Sequence, residues 1–214
     1  MMNEVSSELI IRIAMVILAY LIGSIPFGYL IGKIFYKKDI RQSGSGNIGA
    51  TNALRSFGVS VGIFVLSLDL LKGFLAILLA RYLLADFNVY IVLSGLFVIL
   101  GHVFPIFLQF KGGKGVATSA GVFLALSTVP LLITLLSFII IVWITRFVSV
   151  GSILSAICFH ILVLSQEVIN NTNNIALVVF TTVVVLLLIY KHQDNLARLL
   201  NGTENKLEFK KKNK

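Results

Sequence analysis

The sequence predicts an all-α integral membrane protein, and three observations predict it. Hydrophobic residues make up 57% of the 214 and charged residues only 13%, well outside the mix of a soluble domain. Apolar runs long enough to cross a bilayer recur from one end to the other. The polar intervals between them are too short to bury a core, which excludes a separate soluble domain. Lys+Arg outnumber Asp+Glu by 18 to 9, a net charge of +9. In a membrane chain that excess reads first as topology and attraction to anionic lipid, and only then as a hint of acidic substrates. Membrane lipid, not nucleic acid, is the expected macroscopic partner. Cys158 is the single cysteine; lying in an apolar run, it excludes an intramolecular disulfide and predicts a buried thiol.

The apolar stretches run over 9–35, 59–84, 89–108, 116–145, 148–165 and 175–190. The first follows Glu4 and Glu8 instead of a basic segment and continues past any plausible cleavage point, so it reads as a retained helix. The fourth is long enough for one steeply tilted helix or for two short ones broken near Ser127, Thr128 and Pro130. Charge sidedness decides between them. With two helices there are seven spans and an outside N-terminus. Lys33, Lys37, Lys38, Arg41, Arg55, Lys111, Lys114, Arg146 and everything from Lys191 onward then face the cytoplasm. The outer side keeps Glu4, Glu8, Asp86 and Glu167, with Arg12 and Arg81 only at helix ends. With one helix, the basic tail (Lys206, Lys210, Lys211, Lys212, Lys214) would oppose the basic first loop and break the positive-inside bias. The expectation is therefore a single seven-helix domain over 1–205 with a basic cytoplasmic tail over 206–214. It places every motif-bearing stretch on one face of the membrane.

The first such stretch is "RQSGSGNIGATNALR". Gly44, Gly46 and Gly49 satisfy G-x-G-x-x-G, yet no strand precedes them and no Gly-Lys-Ser/Thr closes them, so neither dinucleotide fold nor Walker loop applies. What remains is close backbone approach at the glycines, short hydrogen-bonding side chains at Ser45, Asn47, Thr51 and Asn52, and a cation at Arg55. The plainer alternative is a capped turn before the second span. The second stretch, "FKGGKGVATSAG", sets Gly112, Gly113 and Gly115 around Lys114 just before a helix, where backbone amides and a lysine suit an anion. Its plainer alternative is a pair of positive-inside lysines with Gly121 as a packing contact. The third, "YKHQDNLARLLNGTEN", spaces His192, Asn195 and Arg198 by three, along one helix face. Arg146, Ser149 and Ser152 form a weaker polar stretch.

Two ionisable residues fall inside a span, Asp69 and Lys72, three apart and able to neutralise one another. His160, deep in an apolar run, is expected to bond a neighbouring helix. His102, in "GHVFP", is expected nearer the polar face.

Taken together, "GSGNIGATN", "DLLKG", "GHVFP", "FKGGKGVAT" and "KHQDNLARL" resemble the bacterial acyl-phosphate-dependent glycerol-3-phosphate acyltransferases, the PlsY family, from about Ala19 to Glu204. The resemblance implies a seven-helix enzyme of the bacterial cytoplasmic membrane with its active site facing the cytoplasm. It implies transfer of a fatty acyl group from acyl phosphate to the sn-1 hydroxyl of glycerol 3-phosphate, giving lysophosphatidic acid and inorganic phosphate. By position, the family's essential serine and arginine fall on Ser45 and Arg55, its phosphate-loop lysine on Lys114, and its histidine and asparagine on His192 and Asn195. Ile48 stands where many members carry proline, and Gln109 where glycine is common.

On this basis Arg55 and Lys114 are expected to bind phosphate, assisted by backbone amides of 44–47 and 112–115. Ser45 and Asn195 orient the ligands. His192 positions the glycerol hydroxyl or helps to deprotonate it, unless the acyl phosphate accepts the proton itself. Electrostatic stabilisation of the developing and leaving charges is the main catalytic effect. No Ser-His-Asp order or metal-ligand cluster is evident, and no cofactor is expected; the chain is expected to act as a monomer. The rival class is a transporter or channel for a small anionic metabolite, favoured by Asp69 and Lys72. Against it stand the absence of a second copy of either glycine loop and bland outer loops.

Overall fold

The computed structural model describes residues 2–84, 89–172 and 174–207, with side chains from residue 7 onward. The side chain of Glu4, Asp86 and the basic tail residues Lys210, Lys211, Lys212 and Lys214 lie outside the described residues. The described residues form helices joined by loops, with no strand among them, and divide into two compact units, Met1–Leu126 and Ser127–Lys214.

The first unit holds α1 (Met2–Ser24), α2 (Phe27–Tyr36), α3 (Ala50–Phe57), α4 (Val59–Leu84), α5 (Val89–Val103) and α6 (Val116–Leu126). Short 3₁₀ turns at Ile40–Gln42 and Ile106–Leu108 lead into the two glycine loops. The first apolar run, expected as one retained helix, is broken: Pro26 cannot continue the helix, so α1 stops at Ser24 and α2 starts afresh at Phe27. The two pieces still form one apolar stretch, Ser7–Tyr36. α4 is the centre of the unit, with α1, α3, α5 and α6 all against it. Its approach to α6 is backbone on backbone. A Cβ at Gly73 would stand 2.3 Å from the Thr118 carbonyl oxygen, and one at Gly121 would stand 1.9 Å from that of Leu70. Small residues at such crossings are the usual means of bringing membrane helices together. Gly121 is thus a packing contact, as one reading of the sequence had it. On the opposite side of the unit, the Tyr20 hydroxyl donates to the Phe104 carbonyl at 2.8 Å and ties the end of α5 to α1.

The second unit holds α7 (Thr128–Thr145), α8 (Val148–Asn170), α9 (Ile175–Lys191) and α10 (Gln193–Leu200). α7 and α8 form a hairpin that turns through Arg146 in the left-handed region, φ 66°. α8 packs on α9, and there His160 Nδ1 lies 2.8 Å from Thr181 Oγ1, the interhelical bond expected of it. Cys158 is half-buried and not fully enclosed, because α8 presents part of that stretch to the outside of the unit.

The break expected near Ser127 is present: α6 ends at Leu126 and α7 begins at Thr128. Among the described residues five segments are long and apolar enough to cross a membrane, and six if α9 and α10, bent by 51°, count as one. α6, with 11 residues, reaches about 16 Å, roughly half of a hydrocarbon core.

Candidate active site

The first loop is built around one buried amide. Asn52, in the first turn of α3, is 1% exposed. Its Oδ1 accepts the Ser45 N–H at 2.9 Å. Its Nδ2 faces the carbonyls of Ile40 and Ser43 at 3.0 Å each and that of Asn47 at 2.7 Å. Gly44 is required beside it: φ is +59°, and a Cβ there would stand 2.1 Å from Asn52 Oδ1. Asn47 Oδ1 accepts the Gly49 N–H at 2.9 Å, and Gly46 N–H donates to Ser43 at 3.0 Å. Ile40 and Ile48 then anchor the loop in a cluster with Ile31, Ala53, Val65 and Leu108. At the entry to the loop, Asp39 accepts from the Arg41 backbone and guanidinium, and Arg41 lies over the Tyr29 ring at 4.9 Å. The Arg41 side-chain bond outweighs burial and holds the Asp39 carboxyl at about 2.

The loop is thus held by its own bonds, with the Asn52 amide turned inward. The Ser45 side chain is exposed, as are Arg41 and Gln42 before it. Thr51 and Arg55, both half-buried, stand four apart on α3 and share a face.

The second loop leaves α5 at Val103. Pro105 opens the 3₁₀ turn, and Gln109 and Phe110 both take the left-handed region, φ 52° and 61°. The chain then doubles back so that Gly112 N–H donates to the Val103 carbonyl at 3.2 Å and Gly113 N–H to the His102 carbonyl at 3.0 Å. Gly113 lies on the imidazole of His102, where a Cβ would stand 2.0 Å from Nε2. Half-buried Lys114 follows, and Gly115, φ +87°, opens α6. Leu108 shares the hydrophobic cluster with Ile40 and Ile48, so both loops rest on one core.

These bonds narrow the sequence expectation. The N–H groups of Ser45, Gly46, Gly112 and Gly113 already donate within the protein, and the Asn52 side chain is engaged with backbone on both ends. Gly44, Gly46, Asn52, Gly112 and Gly113 therefore shape the loops. Ser45, Asn47, Thr51, Arg55, Lys114 and Gly115 remain the nearer candidates for ligand contact.

In the second unit, α9 bends into α10 at His192, which is 3% exposed. Its Nδ1 lies 2.7 Å from the Leu188 carbonyl. A carbonyl only accepts, so Nδ1 carries the proton and Nε2 is the basic nitrogen of the neutral ring. Asn195, 6% exposed, donates through Nδ2 to Glu204 Oε1 at 2.6 Å. Arg198 Nε and Ser149 Oγ bond the same carboxylate at 2.8 and 2.9 Å. Burial pushes the Glu204 carboxyl up, but the bonds from Asn195, Arg198 and Ser149 outweigh it and hold the group below its ordinary value. The sequence did not single out Glu204. The signal was present in "NGTEN", an acid placed after a helix whose polar face carries Asn195 and Arg198.

Asp69 and Lys72 form the expected ion pair, Nζ to Oδ1 at 2.9 Å. His102 joins it, Nδ1 to the same oxygen at 3.4 Å. Among the described residues no three His, Cys, Asp or Glu are grouped to hold a metal ion.

A family model described as glycerol-3-phosphate acyltransferase matches residues 13–202. A Staphylococcus haemolyticus protein named glycerol-3-phosphate acyltransferase is 43% identical over 206 residues, covering 92% of this chain and 98% of that one. Glycerol-3-phosphate acyltransferase 2 of Bacillus anthracis is 43% identical over 198 residues, covering 92% and 99%. The crystal structure of PlsY, an integral membrane glycerol 3-phosphate acyltransferase, in its glycerol 3-phosphate form superposes with a TM-score of 0.86 at 38% identity, covering 92% of this chain and 96% of that one. Its lysophosphatidic acid form superposes at 0.83 and 37% identity, covering 92% and 95%.

Proposed function

The chain belongs to the glycerol-3-phosphate acyltransferase family, and from that membership we propose that it transfers a fatty acyl group from acyl phosphate to the sn-1 hydroxyl of glycerol 3-phosphate. The hydroxyl oxygen attacks the acyl carbonyl carbon, and the bond from that carbon to the phosphate oxygen breaks. Inorganic phosphate leaves, and lysophosphatidic acid forms. The proton goes to His192 Nε2 or to the departing phosphate. The mixed anhydride already carries a good leaving group, so the protein's task is chiefly to grip two anions and stabilise the charge that moves between them.

The observation that carries this reading is the pair of glycine loops, each bearing a cation, seated on the one cluster that holds Ile40, Ile48 and Leu108. Arg55 and Lys114 bind phosphate, with Ser45, Asn47, Thr51 and the Gly115 backbone as hydrogen-bonding partners. His192 and Asn195 act on the glycerol hydroxyl and its neighbours. The Nδ1 bond to Leu188 turns the basic nitrogen of His192 away from its own helix, which suits an acceptor of that hydroxyl's proton.

The chain crosses the cytoplasmic membrane seven times, short α6 included, with its N-terminus outside and its basic end inside, and the substrates are met from the cytoplasm. It works as a monomer. The positive-inside bias and the helix break at Ser127 support this topology. The feature that favoured a transporter is accounted for otherwise, since Asp69 and Lys72 pair with each other, Lys72 donates to the Ile25 carbonyl and Asp69 faces His102.

Mass spectrometry of the product tests the reaction. Purified protein in lipid, given palmitoyl phosphate and glycerol 3-phosphate, is expected to form 1-palmitoyl lysophosphatidic acid. Uptake of glycerol 3-phosphate into vesicles without that product would support the transporter instead.

A further inference from the structure

Asp69 and Lys72 take no part in the reaction as described, yet both are nearly fully buried, at 2% and 4% exposure. A pair that only neutralised itself would need no third group. This one has three more contacts. Lys72 Nζ donates to the Ile25 carbonyl at 2.8 Å, in the break between α1 and α2. It also stands 5.5 Å over the Phe27 ring. Asp69 Oδ1 faces His102 Nδ1 at 3.4 Å, a charge contact outside hydrogen-bond alignment, and His102 is itself 4% exposed. The other edge of that imidazole bears on the glycine loop, with Gly113 set where a Cβ would stand 2.0 Å from Nε2. The sequence of contacts therefore runs from the helix break through Lys72, Asp69 and His102 to Gly113, and Lys114 is the next residue.

We propose that Asp69 is a positioning residue for the reaction: its carboxylate fixes the His102 imidazole as the floor under Gly112–Gly115 and so fixes where Lys114 offers its ammonium group to phosphate. The reasoning is steric and electrostatic. No clearance exists between the ring and the Gly113 backbone, so a turned ring displaces the loop. A buried carboxylate in low dielectric attracts the N–H edge of the ring, which favours the orientation that sets Nε2 against Gly113. A carboxylate behind a histidine sets its tautomer and plane in the same way at metal centres. Lys72 holds Asp69 in turn and donates to the Ile25 carbonyl, which lies in the break between α1 and α2 and belongs to neither helix.

The proposal rests on Lys114 being a phosphate ligand, and the test separates the two. Asp69→Leu/Lys72→Gln removes both charges together, strands neither, takes away the acceptor facing His102 and keeps a side-chain N–H that can donate to the Ile25 carbonyl. It is compared with wild type and Lys114→Ala in lipid, by kcat, by KM for each substrate and by thermal unfolding. The double variant is expected to unfold near the wild-type temperature. It should raise the KM of the same substrate whose KM rises in Lys114→Ala, by about tenfold, the lower end of what losing such an orienting partner costs at metal-bound histidines. A folded double variant with wild-type constants overturns the proposal. ¹⁵N NMR of His102 in the wild type gives a second measurement that does not depend on that variant folding: a protonated Nδ1 is expected, and a bare Nδ1 overturns it. An inactive wild type would count against the acyltransferase reading; a normal double variant beside a defective Lys114→Ala would count against the positioning role alone.

Discussion

Glu204 holds the side-chain amide of Asn195 at 2.6 Å, and with it Arg198 and Ser149. One carboxylate thus joins the α7–α8 turn, the polar face of α10 and the segment after it. Leu207 N–H adds to this by donating to the Arg146 carbonyl at 2.7 Å. Glu204→Gln removes the charge on which three donors converge. A loss of about 1.5–3 kcal/mol is expected, the scale of hydrogen bonds to a charged group, read as a lowered unfolding temperature with activity reduced in proportion to folded protein.

The same bonds give the acid response its sign. The Glu204 carboxyl titrates below its ordinary value of 4.5 in the folded protein. Its contribution to stability is therefore complete above about that value and falls as pH drops through the lower folded value. Acid unfolding of the wild type is expected to begin below pH 4.5, and Glu204→Gln is expected to flatten that limb. An unchanged acid limb in the variant would count against the bonding described.

His192 has one nitrogen committed to Leu188. His192→Gln is expected to lower kcat by about a hundredfold, the smaller end of a general-base contribution, and to remove the lower limb of the pH–rate profile. Near-normal turnover with an unchanged profile would leave the departing phosphate as the proton acceptor.

Gln109 occupies the left-handed region, φ 52°, where a side chain costs about 1 kcal/mol relative to glycine. Gln109→Gly is expected to raise the unfolding temperature by about 2–4 °C, with KM values unchanged, as a thermal-shift series would show.

The helices, the break near Ser127 and the Asp69–Lys72 pairing were legible in the sequence because each follows from local pattern: apolar length, a Ser-Thr-Val-Pro interruption, a spacing of three. The break at Pro26 was legible in principle, but the surrounding run is so apolar that hydropathy hides it. Three features were not legible. Asn52 reads as one more polar ligand in "GATN", yet its amide is turned inward to four partners scattered over Ile40–Asn47, a folding-dependent arrangement. His102 meets Asp69 and Gly113 only once α4, α5 and the second loop are assembled. Glu204 lies nine residues from Asn195 and 55 from Ser149, distances at which no helical periodicity speaks.

The central claim, that the two glycine loops grip phosphate for acyl transfer, is tested most directly by phosphate release. Purified protein in lipid receives palmitoyl phosphate with and without glycerol 3-phosphate, beside Lys114→Ala. Release is expected only when glycerol 3-phosphate is present, and to fall by at least about a hundredfold in the variant, the loss typical of one preorganised charge-stabilising group. Equal release by folded Lys114→Ala, or release indifferent to glycerol 3-phosphate, would contradict it.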